Sequence, residues 1–250
     1  MFEIEKIRRE ELEILQLERL KKIVTWAYEK SAFYQKSFQN HGVTPDNIQS
    51  LADVSKLPFV TSEDIRGNEL EFLTLPLSSV VRISRCGEFT NFYTKDDIRN
   101  NVEMIIRALV SSNIFRGSTV EISGNLSDSR NLDILYALES IGATVVLRGE
   151  NFSVDKIIGV TEELSNSFNT TSKIFNLYAL PEIGNAGLLC PCGAGYHVQE
   201  DNFLVETLND ELVITTLTAQ ARPLIRYRTR QKVKIINEPC KCGRTFKRIV

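Results

Sequence analysis

At 250 residues, with 42% hydrophobic and 25% charged positions and a formal net charge of -2, the chain has the composition of a globular protein that buries one large or two modest cores. The balanced charge gives no nucleic-acid footprint, and no apolar run approaches the roughly 18 residues of a membrane span, so neither is an expected partner. The opening Met1-Phe-Glu-Ile-Glu-Lys-Ile-Arg-Arg is charged and holds no secretory apolar region, which makes the expected compartment the cytoplasm. Thiols stay reduced there, so paired cysteines read as metal ligands rather than disulfides.

In chain order, residues 4 to 30 place Ile4, Ile7, Leu12, Leu15, Leu20, Ile23, Val24 and Ala27 at helical spacing among Glu, Lys and Arg, predicting one long amphipathic helix. Its apolar stripe serves either the chain's own core or a partner protein, including a second copy. Phe33, Tyr34 and Phe38 continue into a short helix that stops near Gly42, where His41 reads as a solvated C-terminal cap. Ser50 with Asp53 and Thr61 with Asp64 have the spacing of capping boxes on two short helices. Residues 80 to 84 and 89 to 93 predict a β-hairpin, and Thr94 caps a helix through Val110. Beyond it the pattern predicts a strand at 118–123, a helix at 131–141, a strand at 143–147, a helix at 154–164, a polar linker at 165–172 and a strand at 173–178. A loop with Gly184 and Gly187 follows. Alternating strands and helices predict a parallel sheet with crossover helices. The expected layout is therefore α/β in one compact unit: a helical collar over 1–78, a reduced α/β core over 79–188 and a zinc-clipped β subdomain over 189–250.

Four of the five cysteines fall in two Cys-x-Cys-Gly units, Cys190-Pro-Cys192-Gly and Cys240-Lys-Cys242-Gly, which bracket that β subdomain. Paired thiols at such spacing on either side of a β-meander fit a closed tetrahedral site, hence a structural zinc, and the symmetrical ligand set is Cys190, Cys192, Cys240 and Cys242. The fifth, Cys86, follows Arg85 in a loop with no identifiable histidine base and reads as a spare thiol. Arg226, Arg228 and Arg230 alternate with Tyr227 and Thr229, which sends three cations to one face of a strand at 225–231. They either meet an anionic ligand or pair with Glu200, Asp201 and Glu206.

The runs Leu20-Lys-Lys-Ile-Val-Thr-Trp-Ala-Tyr-Glu-Lys-Ser-Ala-Phe-Tyr and Leu57-Pro-Phe-Val-Thr-Ser-Glu-Asp-Ile are similar to the opening of the phenylacetate-coenzyme A ligase family of adenylate-forming enzymes. The runs from His197 to Glu206, Leu212 to Thr218 and Pro223-Leu-Ile-Arg-Tyr-Arg-Thr-Arg230 look like its later β subdomain, in the family's order. The resemblance implies the α/β fold above and a reaction in which ATP and magnesium activate an aryl or acyl carboxylate as an adenylate, which then passes to coenzyme A. It also implies the ligand set Cys190, His197, Cys240 and Cys242, with Cys192 as the alternative to His197. Tyr178 and Glu182 resemble the element that carries the family's aromatic residue and magnesium-binding carboxylate. Arg228 and Gln231 fall on the nucleotide strand, where Gln231 replaces an acidic residue that would hold the ribose.

The departures are as informative as the matches. The phosphate-loop position reads Ser84-Arg-Cys-Gly-Glu-Phe-Thr90, short, without a lysine and with Glu88 of the wrong sign for phosphate. A few polar residues stand between 164 and 173 where the family carries a wall of the acyl pocket. The family continues after the position of Arg244 into a domain carrying a catalytic lysine, whereas this chain ends at Val250. The first expectation is thus a ligase-like protein acting as a non-catalytic binding or partner subunit. The second is a minimal ATP-dependent ligase or acyl transferase, with Glu182, Arg228 and Tyr178 as its surviving site residues.

Overall fold

The computed structural model describes residues 1–147, 152–161, 174–193 and 195–250. A short 3-10 turn, Glu3–Lys6, precedes α1 (Arg9–Lys30), and α2 (Ala32–Asn40) follows after Ser31. The expected single helix from residue 4 is broken because Ile7 and Arg8 are extended. Tertiary bonds impose the break: the Thr245 N–H donates to Glu5 O at 3.0 Å and the Thr245 hydroxyl to Ile7 O at 2.8 Å. Along α1, Leu12, Gln16, Leu20, Ile23, Val24 and Ala27 are buried at helical spacing. The apolar stripe is therefore spent on the chain's own core, and of the large apolar side chains of α1 Ile14 stands exposed. Each fully buried leucine contributes about 1.5–3 kcal/mol relative to exposure.

Both predicted capping boxes form, Ser50 with Asp53 and Thr61 with Asp64, although the elements they start are a 3-10 helix (Leu51–Lys56) and the single turn α3 (Ser62–Ile65). The hairpin is β1 (Arg82–Cys86) with β2 (Phe89–Tyr93), and Thr94 caps α4 (Lys95–Ser111). Next come β3 (Thr119–Ile122), α5 (Ser129–Ser140) and β4 (Thr144–Leu147), a parallel pair joined by a crossover helix. Residues 154 to 161 do not form the expected helix: β5 (Lys156–Thr161) is a strand lying parallel to β3. Its Ile157, Ile158 and Val160 satisfy a helical period on paper, but β-branched side chains favour the pleated surface once two neighbours are available to pair. The linker expected at 165–172 lies outside the described residues.

After β6 (Ile174–Leu180) the glycine-containing stretch is also a strand, β7 (Gly184–Leu189), rather than a loop. Gly187 belongs there for a packing reason. A Cβ at that position would lie 3.2 Å from Tyr196 Cβ and 3.4 Å from Tyr178 Cβ, so its absence lets the two tyrosine rings approach to 5.7 Å between centroids. The chain closes with β8 (Tyr196–Val198), β9 (Phe203–Leu208), β10 (Glu211–Thr216), β11 (Tyr227–Lys232), β12 (Ile235–Ile236) and β13 (Arg248–Ile249).

Among the described residues the strands form one eight-stranded sheet, in the order β12-β13-β8-β7-β6-β5-β3-β4, and an antiparallel three-stranded sheet, β11-β10-β9, besides the hairpin. The larger sheet runs across the boundary expected at residue 189, because β7 continues into β8 and β13. The smaller sheet separates two cores. Its Phe203, Val205, Leu212 and Ile214 face the core of α4, α5 and the large sheet, whereas its Leu204 and Tyr227, with Leu217, Leu224 and Ile225 of the β10–β11 connection, face the helices of the first seventy residues. No described helix is long and apolar enough to cross a membrane.

Candidate metal centre and the cavity beside Glu182

The two cysteine units sit at the ends of paired strands. Cys190 follows β7, and its carbonyl accepts the Gly193 N–H at 2.9 Å; Cys240 opens the turn after β12, and its carbonyl accepts the Gly243 N–H at 2.9 Å. Both turns close on glycine at positive φ, 67° and 84°, the left-handed conformation that a Cβ penalises. His197 lies in β8 opposite Arg248 of β13. These elements bring together Cys190, His197, Cys240 and Cys242, whose ligand atoms all lie within 4.8 Å of one another. The sulfurs of Cys190 and Cys240 lie 3.4 Å apart, and Cys242 Sγ lies 3.3 Å from His197 Nε2. Cys192 is exposed at its turn and does not join them.

The surroundings fit a metal ion. His197 Nδ1 lies 2.9 Å from the Phe246 carbonyl, which only accepts, so Nδ1 carries the proton and the Nε2 lone pair is left for the cluster. Burial, opposed by the bond to Phe246 and reinforced by Arg244 and Arg248, pushes the imidazole down to about 4 and keeps it neutral as a ligand must be. Burial pushes the Cys240 thiol up, but hydrogen bonds from the Cys242 N–H and the neighbouring thiols, together with Arg248, hold it below the usual thiol range. Three sulfurs and one imidazole, with no open position supplied by the fold, form the donor set of a closed structural site. Behind it, Arg244 Nε donates to Glu5 Oε1 at 2.8 Å with both side chains buried, and Arg9 forks onto Glu200 at 2.9 and 2.8 Å. The first nine residues are thereby tied to the second cysteine turn.

The nucleotide-type residues do not converge in the same way. Glu182 occupies the turn between β6 and β7, and its Oε1 accepts the Tyr227 hydroxyl at 2.7 Å. Beside it is a cavity of about 50 Å³ whose lining includes Asn91, Tyr93, Asp97, Asn100, Glu182 and Arg222. Of Tyr178, Glu182, Arg228 and Gln231, Glu182 is the one that lines it. Tyr178 is buried in the large core against Tyr196. Arg228 pairs with Glu211 at 2.5 Å, and the Gln231 N–H donates to the Thr229 hydroxyl at 3.2 Å.

The three arginines do line up on one side, along residues 55 to 63. Arg226 donates to the carbonyls of Ser55 and Leu57 and lies 4.0 Å from the centroid of the Phe59 ring; Arg228 lies over the same ring at 5.8 Å, and Arg230 reaches Glu63. Each cation is matched internally, by Glu206, Glu211 and Glu63 in turn. Glu206 is among the expected partners, but Glu200 and Asp201 bind Arg9 and Arg107 instead.

The phosphate-loop position is a tight hairpin. Ladder pairs from Arg82↔Tyr93 to Cys86↔Phe89 leave only Gly87 and Glu88 in the turn, and Glu88 pairs with Arg66 at 2.6 Å. Cys86 is buried, its thiol 3.5 Å from Asp128 Oδ1. His41 caps α2 as expected, its Nδ1 2.8 Å from Ser37 O. Sequence reasoning missed Arg222. Its signal was a lone arginine between Ala221 and Pro223, in a stretch whose following residues, Leu224 and Ile225, are core.

No protein-family model matches the chain. Among curated proteins it is similar to phenylacetate-coenzyme A ligases of several bacteria. The protein of Thermus thermophilus is 27% identical over 99% of this chain and 71% of its own length; that of Aromatoleum evansii is 28% identical over 98% and 71%, and that of Escherichia coli 26% over 98% and 72%. The match with the Thermus protein runs over 315 residues, more than the 250 of this chain, so the relative carries internal residues without a counterpart here. The place expected for them, between residues 164 and 173, lies outside the described residues. A solved 2-hydroxyisobutyryl-CoA ligase in complex with 2-HIB-AMP and CoA superposes with a TM-score of 0.86 over 98% of this chain and 68% of that one, at 16% identity. The fold is therefore that of the adenylate-forming ligases, and in sequence the chain is similar to the phenylacetate-coenzyme A ligases, in a form shortened within the stretch it shares with them.

Proposed function

We propose that the chain is a binding subunit built on the ligase scaffold, without ligase activity of its own, and that Cys190, His197, Cys240 and Cys242 hold one structural zinc ion. The observation that carries the first part is the cavity beside Glu182. Its volume of about 50 Å³ is a small fraction of the roughly 300–1,000 Å³ that small-molecule sites enclose. The adjoining cleft between α1 and α4, about 520 Å³, has the room but does not reach Glu182, Tyr178, Arg228 or Gln231. ATP and magnesium do not fit the residues present: the Glu182 carboxylate is engaged by Tyr227, and the hairpin at 82–93 offers no loop of free N–H groups for phosphate. When bound, zinc would supply a cross-link between the two cysteine turns, fixing β8 against β13 and the second turn against the N-terminal residues.

The purified chain should release no pyrophosphate above background with ATP and a panel of aryl and acyl acids, and a non-hydrolysable acyl-adenylate mimic should leave its melting temperature unchanged. Robust turnover that Glu182→Ala abolishes would replace this reading with that of a minimal ligase acting on such acids and coenzyme A. For the metal, elemental analysis of protein purified under reducing conditions should give about one zinc per chain, and less than about half an equivalent would sink the assignment.

A further inference from the structure

Helical spacing gives the cleft between α1 and α4 two facing stripes. Arg19, Lys22, Ile23 and Trp26 lie on one side of α1, and Asn100, Glu103 and Arg107 on one side of α4, all lining a space of about 520 Å³. The segment after β10 adds Leu217, which is buried, and Thr218, whose hydroxyl is spent on Asn202 Oδ1 at 2.8 Å. With Ile23, Trp26 and Leu75, Leu217 makes part of the lining apolar. The charge of the lining is uneven. One cation takes both carboxylates: Arg107 donates to Asp201 at 2.8 Å and to Glu103 at 2.8 Å. Arg19 donates to the Asp201 backbone carbonyl, and among the described residues neither it nor Lys22 pairs with a carboxylate. Lys22 is exposed, and Arg19 and Trp26 are half-buried, so all three keep accessible surface. Three cations against two carboxylates leave one net positive charge beside an accessible aromatic ring, and Lys30 Nζ adds another cation 5.8 Å from the centroid of that ring.

We propose that this cleft binds an amphipathic organic monoanion, its flat apolar body against Trp26, Ile23, Leu75 and Leu217 and its anionic group toward Arg19 and Lys22. A bare inorganic ion would leave the apolar side chains wet, and a neutral apolar body would leave the two cations unmatched. The indole face favours a planar partner, which packs on it by stacking or edge contact. The volume falls within the roughly 300–1,000 Å³ typical of small-molecule sites. This gives the binding role proposed above a place and a ligand class and rests on that reading. The two fail separately, because a sulfonate used as the anion has no carboxyl group to adenylate.

Trp26 is the chain's single tryptophan, so its fluorescence reports on this cleft. The test titrates the full chain at constant ionic strength with para-butylbenzenesulfonate, which does not absorb at the red edge of tryptophan absorption, and with the neutral para-butylbenzenesulfonamide. The sulfonate should change Trp26 emission saturably and bind at least about tenfold more tightly than the sulfonamide; Lys22→Glu should weaken it by at least about tenfold. Lys22 is exposed, so that substitution leaves the fold intact. No saturable change, equal affinity for the sulfonamide, or an unchanged dissociation constant in Lys22→Glu would each overturn the site.

Discussion

The cysteine-bearing end of the large sheet and the cavity beside Glu182 differ in how completely their parts arrive. At the first, four metal-type donors from two turns and a strand meet within 4.8 Å, and His197, Arg244 and Glu200 are each held from behind. At the second, one of the four residues named by resemblance reaches the cavity; the others are packed in a core or paired on a strand. Retained residue types are thus a weak guide to a retained site. What distinguishes the two places is whether the backbone still converges and whether each polar group has a partner that orients it.

That contrast can be broken most severely at the metal centre. Cys242→Ser should lose the metal and lower the melting temperature by more than about 10 °C, because removing one ligand forfeits most of a binding energy that is also folding energy; Cys192→Ser should keep full metal content. Retention of one zinc by Cys242→Ser in elemental analysis would show that the ligand set is wrong. Next in size is the buried pair behind the turn: Arg244→Met alone should cost about 3–5 kcal/mol in urea unfolding by stranding Glu5, and pairing it with Glu5→Leu should recover most of the loss. A double variant no better than the single one would mean that the pair does more than neutralise charge.

The cavity side should respond more mildly. Tyr227→Phe removes the hydroxyl that engages Glu182 and should cost on the order of 1–2 kcal/mol, with pyrophosphate release still absent. Appearance of turnover in that variant would show that Glu182 is a suppressed catalytic group, erasing the contrast. Smallest of all, Arg230→Ala at the exposed pair with Glu63 should leave the melting temperature within error of wild type. A clear drop there would mark the arginine face as a built site rather than a matched surface.

The N-terminal helices, both capping boxes, the hairpin and the β3-α5-β4 unit were legible because each is specified locally, by a 3.6-residue apolar period, by a hydroxyl three residues before a carboxylate, or by a β-branched run beside a turn. The strands at 156–161 and 184–189 were not. Their local patterns fit a helix and a loop, and pairing with β3 and β6 and the packing of Tyr178 against Tyr196 across Gly187 overrode them. The donors of the candidate metal site could be read from the chain: the resemblance pointed to His197 with Cys190, Cys240 and Cys242, the symmetrical spacing to Cys192 in its place, and the antiparallel pairing of β8 with β13 carries the imidazole, not the Cys192 thiol, to the second turn. Arg222 shows the same division. Sequence by itself determined that a cation follows Ala221; only the tertiary structure decided that it is buried with an open donor, because burial and pairing depend on groups brought from residues 91 and 182.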